Sequence, residues 1–109
     1  MEAPTENQVM NSTWTVFKFD PAVAMGEVEA TLRLATVAAE GLHGEERIRQ
    51  EVRTRIEPRP RACIIDTTAD SGRTLAAIFG EYVRREFGDQ AVEVSQFVTE
   101  VCIQREVAG

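Results

Sequence analysis

Two stretches of this 109-residue chain place apolar residues three and four apart, and short runs rich in β-branched and aromatic residues flank both. A 3.6-residue period alternating with a two-residue period requires helices laid against a sheet. The first such run, Thr13-Trp14-Thr15-Val16-Phe17-Lys18-Phe19, has the composition of a pleated strand. Asp20-Pro21 then marks a helix start, since aspartate caps free amides and proline is preformed for the first helical position. Met25, Val28, Leu32, Ala35, Ala39 and Leu42 make the apolar stripe of this helix, Leu34, Val37 and Ala38 widen it, and Gly41 and Gly44 stop it. A second helix, capped by Asp70 or Ser71, carries Leu75, Ile78, Phe79, Tyr82, Val83 and Phe87 on one face and ends at Gly88-Asp89.

The intervening segments read as strands. Arg61 to Thr67 is a short apolar run suited to the centre of a sheet, preceded by a turn at Pro58-Arg59-Pro60. Ala91 to about Ile103 is rich in valine and alternates at first, which predicts a last strand in which a bulge would absorb the later irregularity. Glu45 to Glu57 fits two patterns. Ile48, Val52 and Ile56 suit a helix, whereas Arg47, Arg49, Glu51, Arg53 and Arg55 occupy every odd place, as on a strand with one wet face. The strict charge alternation favours the strand.

The resulting order, β-α-β-β-α-β, resembles the ferredoxin-like (split βαβ) architecture: a four-stranded antiparallel sheet with two helices on one face. The expected organisation is a disordered tail over residues 1–12, one α+β domain over 13–103 and a frayed end over 104–109. The resemblance lies in element order alone and confers no activity.

Such a fold leaves one sheet face bare. In the first strand Trp14 and Val16 point to one side and Phe17 and Phe19 to the other, and in the third Ile64 opposes Ile65. The centre of the sheet is therefore apolar front and back, unlike a half-wet antiparallel sheet, which alternates cleanly. Clustered exposed apolar side chains mark an interaction surface. Trp14, Val16, Phe17, Phe19, Ile64 and Ile65 are its candidates, with Arg47, Arg49, Arg53 and Arg55 as a charged flank that could set the register of a partner. Six arginines against four glutamates between residues 45 and 61 leave the rest of the chain strongly acidic.

A net charge of −6 opposes nucleic-acid binding, which draws its affinity from cations on phosphates. RNA-recognition domains share the element order but stack bases on aromatic residues of the third strand, and Arg-Ala-Cys-Ile-Ile-Asp-Thr has none. The run Ile64 to Ser71 looks like the active-site segment of retroviral-type aspartic proteases, but Thr68 replaces the required glycine and a helix follows. No nucleophile and base stand at a believable spacing, and His43 is the only histidine, so neither an enzyme nor a metal or cofactor site is expected. Cys63 sits in an apolar run and reads as a buried, inert thiol. Ser71, Gly72, Arg73 and Thr74, at a helix start, are candidates for holding an anion, which makes a regulatory domain for an anionic metabolite the alternative function. No stretch is apolar enough to span a bilayer, and the polar start lacks an export signal, which points to the cytoplasm. The leading expectation is a non-catalytic assembly module that pairs with itself, or with another protein, through its open sheet face.

Overall fold

The structure, a computed structural model, describes the backbone of residues 7–104 and the side chains of residues 11–99. The elements run β1 (Asn7–Phe19), α1 (Met25–His43), α2 (Glu45–Glu51), β2 (Thr54–Glu57), β3 (Ala62–Asp66), α3 (Asp70–Phe87), a 3-10 turn (Asp89–Ala91) and β4 (Val92–Gln104). The four strands form one antiparallel sheet in the order β2-β3-β1-β4, with the three helices gathered on one side of it.

The core explains this layering. Phe17 and Phe19 of β1 and Cys63 and Ile65 of β3 share one sheet face, and Val28, Leu32, Ala35 and Ala39 of α1, Ile48 of α2 and Leu75, Phe79 and Val83 of α3 close over them. Phe79 meets Phe17 edge-on at 4.9 Å and Phe19 at 6.4 Å between ring centroids, a favoured aromatic geometry. One glycine allows the helix this close: Gly72 faces the Asp66 carbonyl so closely that a β-carbon would overlap it, whereas at Gly80 a β-carbon would meet the Phe17 ring at an ordinary contact distance of 3.5 Å.

Several expectations are corrected. Glu45–Glu51 is helix, and only Thr54–Glu57 of the expected strand is strand. In a helix, charges four apart become neighbours. Arg49 accordingly bonds Glu45 at 2.6 Å and Arg47 bonds Glu51 at 3.0 Å, while Ile48 turns into the core at 4% exposure. The strict alternation thus encodes two i,i+4 ion pairs rather than one wet strand face. α1 begins at Met25, not at Asp20-Pro21: the Asp20 carboxylate accepts from the Ala22 amide at 2.8 Å, forming a turn ahead of the helix. Leu34, Val37 and Leu42 are exposed, so the buried stripe of α1 is narrower than its apolar content. Neither Asp70 nor Ser71 caps α3, whose N-cap is Ala69.

β1 starts at Asn7, so residues 7–12 of the expected tail are strand, and residues 1–6 lie outside the described residues. The extension is paired along the backbone: Asn7 to Ser12 run opposite Gln104 to Thr99. The β1–β4 register is continuous from Asn7↔Gln104 to Phe19↔Val92, with no bulge. β4 takes in Gln104, the first residue of the expected frayed end, and residues 105–109 are also outside the description. No helix among the described residues is long and apolar enough to cross a membrane.

Candidate interaction face

Antiparallel partners stand on the same side of a sheet, so the register lays out the uncovered face row by row. Asp66, Trp14 and Phe97 form one row across β3, β1 and β4. Arg55, Ile64, Val16 and Ser95 form the next, from β2 to β4. Glu57, Ala62, Lys18 and Glu93 form the third. Polar residues thus flank an apolar centre of Trp14, Val16, Ile64 and Phe97.

Trp14 and Phe97 stack with their planes 11° apart and centroids at 6.4 Å. Across the tryptophan lies the Arg53 guanidinium, 5.5 Å from the ring centroid, an attraction of cation and ring quadrupole worth about 0.5–1 kcal/mol at an exposed site. Arg53 also reaches the Asp66 carboxylate at 3.5 Å, and the Thr68 amide donates to the other oxygen of that buried group at 3.0 Å. Trp14, Arg53, Arg55, Ile64 and Phe97 line a shallow groove of about 620 Å³. Among the described residues no helix packs on this side, and Phe97 remains 41% exposed while Trp14, Val16 and Ile64 are half-buried.

The structure divides the residues expected at this surface. Trp14, Val16 and Ile64 are on it. Phe17, Phe19 and Ile65 are not, since all three are buried under the helices. Alternation separates the two sets but carries no sign of which set the helices cover. Of the arginines, Arg53 and Arg55 border the groove, whereas Arg47 and Arg49 sit on α2 in their ion pairs. Arg55 is itself paired with Glu57 at 2.9 Å. Phe97 is the member that sequence reasoning missed; its signal is its odd place in β4, in phase with Trp14 once β4 lies beside β1.

The expected anion seat at the start of α3 is filled by the chain itself. Ser71 Oγ donates to Glu51 Oε1 at 2.7 Å, Thr74 Oγ1 bonds His43 Nε2 at 2.9 Å, and Arg73 bonds Asp70 and the carbonyls of Thr67 (3.2 Å) and Thr68 (3.0 Å). The Ser71 hydroxyl and then Arg47 hold the Glu51 carboxyl below the usual glutamate range. The Ser71 and Thr74 side chains and the Arg73 guanidinium therefore already have partners within the chain, and Gly72 is in close contact with β3. Burial pushes the Cys63 thiol up to about 12, where it is protonated and unreactive.

No family model matches the chain, and neither a curated protein nor a solved structure matches it.

Proposed function

We propose that the chain is a non-catalytic assembly module of ferredoxin-like βαββαβ build, with α2 inserted in the first crossover, and that its open sheet face docks a second copy. The strand order β2-β3-β1-β4 and the long helices joining β1 to β2 and β3 to β4 support that architecture. The observation that carries the function is the stacked Trp14–Phe97 pair continuing into Val16 and Ile64 with no covering element among the described residues. Burying side chains of this size is worth roughly 1.5–3 kcal/mol each, which favours a partner that removes them from water. The face also suits its own copy, because it carries charges of both signs at its margins, Arg53, Arg55 and Glu57 at the β2 side and Glu93 at the β4 side, so neither sign repels a second copy throughout. An anionic metabolite is the weaker occupant, since the Ser71 hydroxyl meant to receive it already bonds Glu51 and Arg73 already bonds Asp70.

Ile64→Glu tests this reading, because it places a charge at the centre of the face without touching the core. The expected result in light scattering is a fall in molar mass with an unchanged circular dichroism spectrum. An unchanged mass in a folded Ile64→Glu protein removes the face as a contact. Phe17→Asp is unsuitable, since Phe17 packs under Phe79 and its loss reports on folding.

A further inference from the structure

Among the described residues, nothing pairs with the outer edge of β4. β4 is the last strand in the order β2-β3-β1-β4, and it pairs with β1 on its inner side only. The phase of the ladder shows which of its backbone groups face outward. Phe19 donates to the Arg61 carbonyl and Thr67 donates to Thr13, so odd residues of β1 face β3. Asp20 donates to the Ala91 carbonyl, so even residues of β1 face β4 and bond its odd residues: Trp14 with Phe97, Val16 with Ser95, Lys18 with Glu93. The amides and carbonyls of Val94, Gln96 and Val98 therefore point away from the sheet.

Proteins ordinarily protect such an edge with proline, lysine, a bulge or a covering element. Among the described residues β4 has none of these: Val92–Gln104 contains no proline, lysine or arginine, its register with β1 is unbroken, and no described element covers its outer side. Glu93 is the single charge between Val92 and Thr99. The two exposed valines of this segment, Val94 at 41% and Val98 at 62%, stand on the helix side of the sheet, two places either side of Gln96. Val94 and Gln96 also line a cleft of about 410 Å³ beside Ala76, Ala77 and Gly80 of α3, so an added strand finds space for its side chains.

We propose that β4 pairs antiparallel with β4 of a second copy about a twofold axis at Gln96, joining two sheets into one. Self-pairing is selected by the symmetry of the segment. A twofold at Gln96 sets Val94 against the partner's Val98 and Val98 against the partner's Val94, so each exposed valine is covered by the other. It also places Glu93 of the two copies at opposite ends of the paired segment, where a parallel arrangement would bring them together. Side chains keep their faces in this arrangement, so the Trp14–Phe97 patches of both copies lie on one side of the joined sheet. This contact is separate from docking on the open face.

Gln96→Pro tests it. Proline removes only an outward amide, a substitution that edge strands tolerate, whereas the same change at Phe97 would break the ladder to β1. The expected result is loss of this contact in light scattering with retained secondary structure, while Gln96→Ser, which keeps the amide, retains it. In the unaltered protein at assembling concentration, the Val94 and Val98 amides should exchange with deuterium slowly, as Phe97 does, and become at least about tenfold faster in Gln96→Pro. Ile64→Glu should leave that protection unchanged, which separates failure of the face from failure of the edge. Fast exchange of Val94 and Val98 in the assembled protein overturns the proposal, as does an unchanged mass in folded Gln96→Pro. If Gln96→Pro does not fold, Val98→Lys replaces it as the mass test, and the exchange rates of the unaltered protein still decide.

Discussion

At Gly72 the first turn of α3 lies against the end of β3, and the Asp66 carbonyl oxygen fills the space a side chain would need. Backbone on both sides of that contact has little room to yield. Gly72→Ala should therefore lower stability by about 3 kcal/mol, read from chemical denaturation, and a loss under about 1 kcal/mol would mean that α3 shifts freely. Glu51 gives a pH-dependent counterpart. Its carboxyl titrates below the usual range in the folded chain because Ser71 and Arg47 favour the charged form. The stabilisation is full above the unfolded value and is lost as pH falls through the lower folded value. Native protein should accordingly melt higher than Glu51→Gln at neutral pH, and the gap should close in acid; a constant gap would show that charge plays no part. At this scale the sequence was legible for Cys63, whose apolar neighbours foretell its burial. It was not legible for Ser71 and Thr74, whose partners, Glu51 and His43, are brought to them only by the fold.

The helix α2 shows why an element can be misread when its side chains obey two periods at once. In Glu45–Glu51 the odd-numbered charges suit a strand edge, yet the same residues are i,i+4 partners, and Gly44, with φ of 94°, lets the chain turn from α1 straight into a new helix. Seven residues cannot sustain a helix in water, and two exposed ion pairs add only about 0.3–0.5 kcal/mol each. Burial of Ile48 in the core must supply the rest. Ile48→Ala should cost about 2–4 kcal/mol and raise deuterium exchange throughout α2 before the sheet opens. Equal exchange in both proteins would mean that α2 is held from its ends. The opening of β1 escaped for a related reason: of the residues from Asn7 to Ser12 only Val9 and Met10 are apolar, and their strand pairing is with the opposite half of β4, a contact that only topology creates.

For the whole molecule, the order of elements was readable because two long amphipathic helices and the strands around them each keep one period. Which sheet face lies open was not, because Trp14 and Val16 are as apolar as Phe17 and Phe19. The choice is made by α3, whose Phe79 fits edge-on against the two phenylalanines. Trp14 is the sole tryptophan, and its place on the uncovered side makes it a reporter of what happens there. Pairing at the β4 edge leaves the Trp14 ring in contact with water, because both faces of a joined sheet keep their exposure. Docking of a second copy on the open face removes water from it. Emission of Trp14 should therefore move to shorter wavelength, and acrylamide quenching should weaken, as concentration rises through face docking, and Ile64→Glu should abolish both changes. A rise in mass with unchanged Trp14 emission would assign the association to β4 alone and leave the Trp14–Phe97 groove without the occupant proposed for it.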